Sequence, residues 1–316
     1  MRAVRFHDYA GFDSLRLEEA PVPAVGRGEV LVRVHAAGVN PFDWYAINGY
    51  VSQYVQFRLP AILGRDVSGV VEAVGSGVAD WAVGDEVYGQ TDPASHGTFA
   101  DYTAIDAFRL ARKSDRFTHV ETASLPNVLL AAWNGLFTAA NGMNLQANQR
   151  VLIHGAAGGI GSIAVQLATW RGAHAWGTAS QGNLAFLRSL GAQRAIDYTV
   201  TGWHENVGQV DAVLNTADDS QAPQLCSLIR PGGCYVALRG LSESAFLVEQ
   251  AARGVRCVAA SGPASVADFA QMADIVAKGV IKPVVTGVYS LVEFRDALER
   301  VGEGHVRGKL VLRVAD

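Results

Sequence analysis

Cysteine is the first scarcity: the 316 residues hold three, Cys226, Cys234 and Cys257. An odd handful cannot build a disulfide framework, and a reducing, cytoplasmic setting is the economical reading. Charge is also thin. Asp, Glu, Lys and Arg make up 18% of the chain, and the formal net charge of −4 gives no reason to expect a nucleic-acid or anionic-membrane partner. The opening stretch MRAVRFHDYAGFDS has no apolar run of signal-peptide type. One uncharged run, Val151 to Trp170, is long enough to cross a bilayer. Its glycines all lie between residues 155 and 161, splitting a β-like VLIH from a helix-like IGSIAVQLATW. The run therefore reads as strand, tight turn and helix, and no membrane partner is expected.

What is present is apolar, 49% of the residues, which excludes a disordered chain. The 34 glycines follow no G-X-Y period, so they serve turns and close approaches. At about 150 residues per domain the length suggests two domains. In the first 110 residues MRAVRF and GEVLVRVHAAGV alternate apolar and polar positions, with Val30, Val32 and Val34 on one face. Short β-rich runs follow at VSGVVEAV, DEVYG and GTFADYTAI, and this part reads as an all-β barrel or sandwich. Near residue 120 the pattern changes. VLIHGA, HAWGTA, RAIDY, VDAVLNTA, CYVALR and VRCVAAS read as six strands with helices between them, SQAPQLCSLIRPGG among the helices. Such alternation predicts a doubly wound parallel sheet covered on both faces. Two tail helices carry capping-box spacing, Ser265-x-x-Asp268 and Ser290-x-x-Glu293, with apolar faces Val266/Phe269/Met272/Val276 and Phe294/Leu298/Val301. The closing KLVLRV alternates with period two and is expected to return to the N-terminal β domain.

The residues that carry chemistry follow VLIHG. Ala156-Ala157-Gly158-Gly159-Ile160-Gly161 is an A-x-G-x-x-G form of the dinucleotide fingerprint. Gly158 lets the backbone approach a pyrophosphate, Gly161 lets helix and strand pack closely, and the N–H groups from Ala157 to Gly161 form the phosphate cradle. An NAD site would place an acid at the end of the next strand. Here that position reads Ser180-Gln181-Gly182-Asn183. Ser180 can donate a hydrogen bond to a 2′-phosphate without like-charge repulsion, which favours NADPH, although no basic partner accompanies it.

Over nearly its whole length the chain resembles the zinc-less medium-chain dehydrogenase/reductase family, in its quinone oxidoreductase (zeta-crystallin-like) branch. The resemblance rests on AAGVNPFDWY (36–45), LGRDVSGVVEAVGSGV (63–78), GDEVYG (84–89), AAGGIGSIAVQLA (156–168) and GKLVL (308–312). It implies a GroES-like, β-rich substrate domain at 1–120 plus 264–316 and an inserted Rossmann NADPH-binding domain at 121–263. The implied activity is NADPH-dependent reduction of quinones or α,β-unsaturated carbonyl compounds. Zinc-dependent relatives hold their catalytic metal with two cysteines and a histidine. The first cysteine falls at Asn40 and the histidine at Arg65, and no cysteine precedes Cys226, so no metal is expected. Without a Lewis acid, electrophiles that delocalise the developing charge are the better substrates.

By the same resemblance Asn40 and Asp43 of the Asn-Pro-Phe-Asp turn, with Tyr45 and Tyr50, are the candidate catalytic residues. Asn40 would bond the nicotinamide ribose or the substrate oxygen, and Tyr45 or Tyr50 would donate to the enolate; water delivering the proton is the alternative. Asn215, Leu238 and Arg239 follow strand ends, where ligands of such sheets bind, and Tyr198 is placed at the adenosine end. Ala131 stands where relatives often carry a cofactor-binding threonine, and no contact is assigned there. A homodimer is expected. Two other readings stay open: an NADPH-binding sensor, structural or nucleic-acid-binding protein without physiological catalysis, and an enoyl-thioester reductase.

Overall fold

The computed structural model describes residues 1–241, 244–260, 262 and 265–315. The expected boundary at 263/264 and the Val266 side chain lie outside what is described. The chain divides into two compact units, one formed by Met1–Asn127, Val266–Gly279 and Pro283–Asp316, the other by Val128–Ser265 and Val280–Lys282. Segment 121–127 thus belongs to the first.

In the first unit seven strands share one sheet. Val285–Ser290, Lys309–Arg313, Glu29–Val39, Asp66–Val74, Glu86–Gln90 and Leu110–Arg112 lie side by side, and Tyr102–Asp106 also pairs with Glu29–Val39. A smaller sheet sets Arg2–Phe6 between Leu15–Glu19 and Ala61–Ile62. The alternation read in the sequence is realised: Val30, Val32 and Val34 are fully buried against Val67, Phe99, Leu298 and Leu312. The closing strand returns as expected, Leu310 opposite Val39 and Leu312 opposite Ala37. Both tail helices form, at Val266–Ala277 and Phe294–Gly302, and Ser290 and Glu293 make a reciprocal capping box.

The all-β reading of the first 110 residues needs correction. Asn-Pro-Phe-Asp, taken as a turn, starts the helix Pro41–Ile47. Asn40 caps it, Pro41 supplies a pre-set φ in the first turn, and the Asp43 carboxylate accepts from the Asn40 N–H at 2.8 Å. A capping box with Asn and Asp in place of Ser and Glu is the same device.

The second unit carries the six expected strands, all parallel: Arg150–His154, His174–Ala179, Arg194–Asp197, Val210–Asn215, Ile229–Ala237 and Arg256–Ala259. They lie third, second, first, fourth, fifth, sixth, so the chain reverses direction between the first and fourth. That switch is where sheets of this order bind ligands. The uncharged run 151–170 is accounted for by a buried strand and the helix Gly159–Trp170, whose residues 161–168 are all buried. No described helix is long and apolar enough to cross a membrane. One boundary moves: the fifth strand starts at Ile229, so the expected helix ends at Ser227 and the IRPGG stretch joins the sheet. Buried Ile229 pairs with Val210, and a register shift beyond it absorbs the Pro-Gly-Gly.

In the first unit the His35 and His119 rings stack with centroids 4.4 Å apart. Ser68 Oγ lies 2.8 Å from His119 Nδ1, and Glu86 lies 3.3 Å from Nε2. Burial first, then His35 and Lys113, hold His119 down to about 4 against the opposing pull of Glu86. The folded state therefore keeps His119 neutral while the unfolded chain takes a proton near pH ~6.5. Stability is intact above that pH and is lost as pH falls from there towards 4. Replacing His119 by Gln should flatten this loss, read as the difference between urea midpoints at pH ~7.5 and pH ~5; an unchanged difference would remove His119 as its source.

Candidate functional site

The glycine turn is built from the end of the first parallel strand. Gly155 takes a left-handed φ of +74° and donates its N–H to Thr178 Oγ1 at 3.2 Å, while Ala156 donates to the Thr178 carbonyl at 2.9 Å. Gly158 then caps the helix, and the bond from Ser162 N to its carbonyl closes the first turn. Helix geometry leaves the N–H groups of Gly159, Ile160 and Gly161 without intrahelical acceptors, and no acidic residue stands in that turn.

A Cβ test separates the two key glycines. At Gly161 it would meet the Gly155 carbonyl at 2.4 Å and the Ala156 Cα at 2.6 Å, so this glycine is demanded by packing. At Gly158 its nearest neighbour would be the Gly155 carbonyl at 3.4 Å, an ordinary contact, and φ is −72°. Nothing within the unit requires a glycine at 158. The free space stands over the N–H groups of a helix start, which fits a dinucleotide pyrophosphate.

Around this turn the unit gathers further expected residues. Ser180 is half-buried, and its Oγ accepts from Asn183 Nδ2 at 3.1 Å, which leaves the hydroxyl hydrogen available. Tyr198 follows the adjacent strand, donates its N–H to the Ala179 carbonyl and sets its ring edge-on to His154. Asn215 is committed to its own loop: Nδ2 donates to the Asp218 carbonyl at 3.0 Å and to the Tyr235 hydroxyl at 2.9 Å, and Oδ1 accepts from Ala217 N. Leu238 bonds back to the Asn215 carbonyl, and Arg239 beside it is exposed, with partial desolvation disfavouring its charge.

Two residues here were not read from the sequence. Thr178 Oγ1 accepts the Gly155 N–H at 3.2 Å and lies within hydrogen-bond reach of His154 Nδ1 at 2.8 Å, tying the turn to both strands. Burial holds His154 at about 4. The signal was there: both are polar residues inside otherwise apolar strands.

In the first unit Asn40 and Asp43 belong to a buried polar cluster. Asn40 Nδ2 donates to Asp66 Oδ2 at 2.9 Å, and Asn40 Oδ1 accepts from Lys309 Nζ at 2.6 Å and Asn127 Nδ2 at 3.0 Å. Asp66 Oδ1 accepts from the Asn127 N–H at 3.0 Å and Gln90 Nε2 at 3.2 Å. Lys309 also donates to the Val39 carbonyl and lies 3.8 Å from Asp66. Burial raises the Asp66 carboxyl against the opposing pull of Lys309 and Asn40, and it pushes Asp43 up to about 7. Lys309 is lowered by the same burial and supported by Asp66 and Asp43. The carboxamide of Asn40 is thus fully engaged inside the unit. Tyr45 and Tyr50 are brought together, their rings 6.2 Å apart with Trp44 against both, and Tyr50 is 60% exposed. Among the described residues no group of three or more His, Cys, Asp or Glu is placed to hold a metal ion.

Comparison with known proteins agrees with both halves of this geometry. The family described as "Alcohol dehydrogenase GroES-like domain" matches residues 26–115, and that described as "Zinc-binding dehydrogenase" matches residues 190–312. The chain is 32% identical over 327 residues to the NADPH-dependent alkenal/one oxidoreductase of Arabidopsis thaliana chloroplasts, covering 99% of this chain and 79% of the relative. It is 31% identical over the same length, with the same coverage, to the 2-methylene-furan-3-one reductase of Solanum lycopersicum. The solved quinone oxidoreductase of Coxiella burnetii superposes with a TM-score of 0.87 at 28% identity, covering 99% of each chain. With a GroES-like unit, a parallel sheet of Rossmann order and a residue pattern in which Asn40 and Arg65 replace thiolate and imidazole, the chain belongs to the zinc-less medium-chain dehydrogenase/reductase family, in its quinone oxidoreductase branch.

Proposed function

We propose that this protein is an NADPH-dependent reductase of quinones or α,β-unsaturated carbonyl compounds. The observation that carries the reading is Gly158: a residue whose side-chain space the fold leaves open, over a helix start with unpaired N–H groups and no acid. A reduced nicotinamide bound there supplies a hydride. The residues of this chain do the rest. Gly159, Ile160 and Gly161 offer N–H groups to the pyrophosphate, and Thr178 and His154 hold the turn in shape. Ser180, with no carboxylate beside it in its turn, supports the 2′-phosphate form over NADH. Quinones and enones spread the negative charge of reduction over conjugated atoms, so hydrogen bonds suffice to hold it. The Tyr45 and Tyr50 pair supplies hydroxyl groups for proton delivery.

Gly158→Val should abolish NADPH binding in a fluorescence titration while lowering the melting temperature by no more than a few degrees, the effect of a cap about 1 kcal/mol poorer. Gly161→Val should destabilise the fold outright. Retained NADPH affinity in Gly158→Val would refute the cradle as drawn. Ser180→Asp should weaken NADPH relative to NADH by about tenfold or more through like-charge repulsion; an unchanged ratio would move the 2′-phosphate elsewhere. The reading as a whole is tested by NADPH oxidation with 9,10-phenanthrenequinone and a short enone. Tight NADPH binding without turnover of either would favour a non-catalytic role.

A further inference from the structure

Arg65 immediately precedes the buried Asp66, yet it takes no part in the bonds that tie that cluster together. Its guanidinium carbon lies 4.9 Å from the centre of the Phe42 ring. Among the described residues the guanidinium makes one hydrogen bond, a long one from Nη2 to the Thr91 carbonyl at 3.5 Å, and its Nε is buried with no partner at all. The nearby carboxylates do not cap it. Asp43 bonds the Asn40 N–H, Asp66 bonds Asn40, Gln90 and Asn127, and Asp92 Oδ2 is taken by Arg109 at 3.2 Å. Burial lowers its affinity for the proton, but a guanidinium stays charged throughout the range in which proteins fold. The result is a charged fork with up to five N–H donors, stripped of part of its water and given one poor acceptor. Such a group gains more from an incoming anionic oxygen than one already paired.

We propose that Arg65 is a substrate-binding residue whose guanidinium takes the carbonyl oxygen of the quinone or enone and holds the anionic oxygen that reduction creates. This rests on the reductase reading. When hydride joins the β-carbon of an enone, the carbon–carbon π pair moves to the bond between the α-carbon and the carbonyl carbon. The carbonyl π pair moves to oxygen, and an enolate results. A proton of solvent origin then joins the α-carbon and the carbonyl re-forms. The negative charge appears on the oxygen that Arg65 holds, so the interaction strengthens along the reaction. The guanidinium carbon sits over the Phe42 ring, and the N–H donors lie in the guanidinium plane. The same preference extends to any quinone that already carries an anionic oxygen.

The test compares wild type, Arg65→Gln and Arg65→Lys in binding two ligands, 2-hydroxy-1,4-naphthoquinone, an enolate at neutral pH, and the neutral 2,3-dimethyl-1,4-naphthoquinone. The readout is the ratio of the two dissociation constants, alongside NADPH affinity and kcat. Wild type should prefer the anion. Arg65→Gln should lose that preference by about tenfold or more, the size of one charge-assisted hydrogen bond, with NADPH affinity unchanged and kcat reduced. Arg65→Lys should fall between, since an ammonium keeps the charge and not the fork. The Lys variant also decides the matter if the Gln variant does not fold. A wild-type ratio in either folded variant, with turnover intact, would overturn the assignment. Anion binding that depends on Arg65 in a protein that oxidises no NADPH would instead fail the reductase reading and leave the anion site in place.

Discussion

The architecture of the cofactor unit turns on one close approach. Helix Gly159–Trp170 sits so near the turn before it that a single added carbon at Gly161 would lie 2.4 Å from a backbone carbonyl. That proximity sets the angle at which the helix leaves the sheet, and so aims its positive end out of the first turn. Gly155 makes the turn possible with its left-handed backbone, and Thr178 fastens it from the neighbouring strand. Gly158 is different in kind. Its neighbours leave room, so its lack of a side chain answers to something outside the unit.

The other unit solves a different problem, that of burying charge. Lys309, Asp66 and Asp43 are almost wholly enclosed, and each is tolerated only because Asn40, Asn127 and Gln90 supply the hydrogen bonds that water would otherwise give. The cluster ties the ends of three strands and a helix start to one carboxamide. Removing one partner would leave a buried charge uncompensated, so these residues are a scaffold before they are anything else. Arg65 stands beside this scaffold without being absorbed into it.

Much of this was legible in the chain and some was not, for identifiable reasons. Six apolar strands separated by helices, and a glycine pattern after the first, are local signals that survive without knowledge of the fold. Asn-Pro-Phe-Asp was misread as a turn because Asn and Asp serve both turns and caps. Nothing local announces that Asn40 will meet Lys309, some 270 positions later. Arg65 was noticed only as a residue unable to bind zinc. That its Nε lacks a partner depends on where Asp92 and Arg109 sit, which no spacing encodes.

The two units thus contribute separable parts, a phosphate cradle on one and a set of enclosed charges with a poorly bonded guanidinium on the other. The account stands or falls on hydride transfer from a nicotinamide to a conjugated carbon. The most direct measurement is product analysis after incubation with NADPH carrying deuterium at nicotinamide C4 and a simple enone. Deuterium on the β-carbon, with a solvent-derived hydrogen on the α-carbon, is the result this account predicts when the appropriate C4 position is labelled. Saturated product with no deuterium from either C4-labelled epimer, or no product at all from protein that binds NADPH, would contradict it.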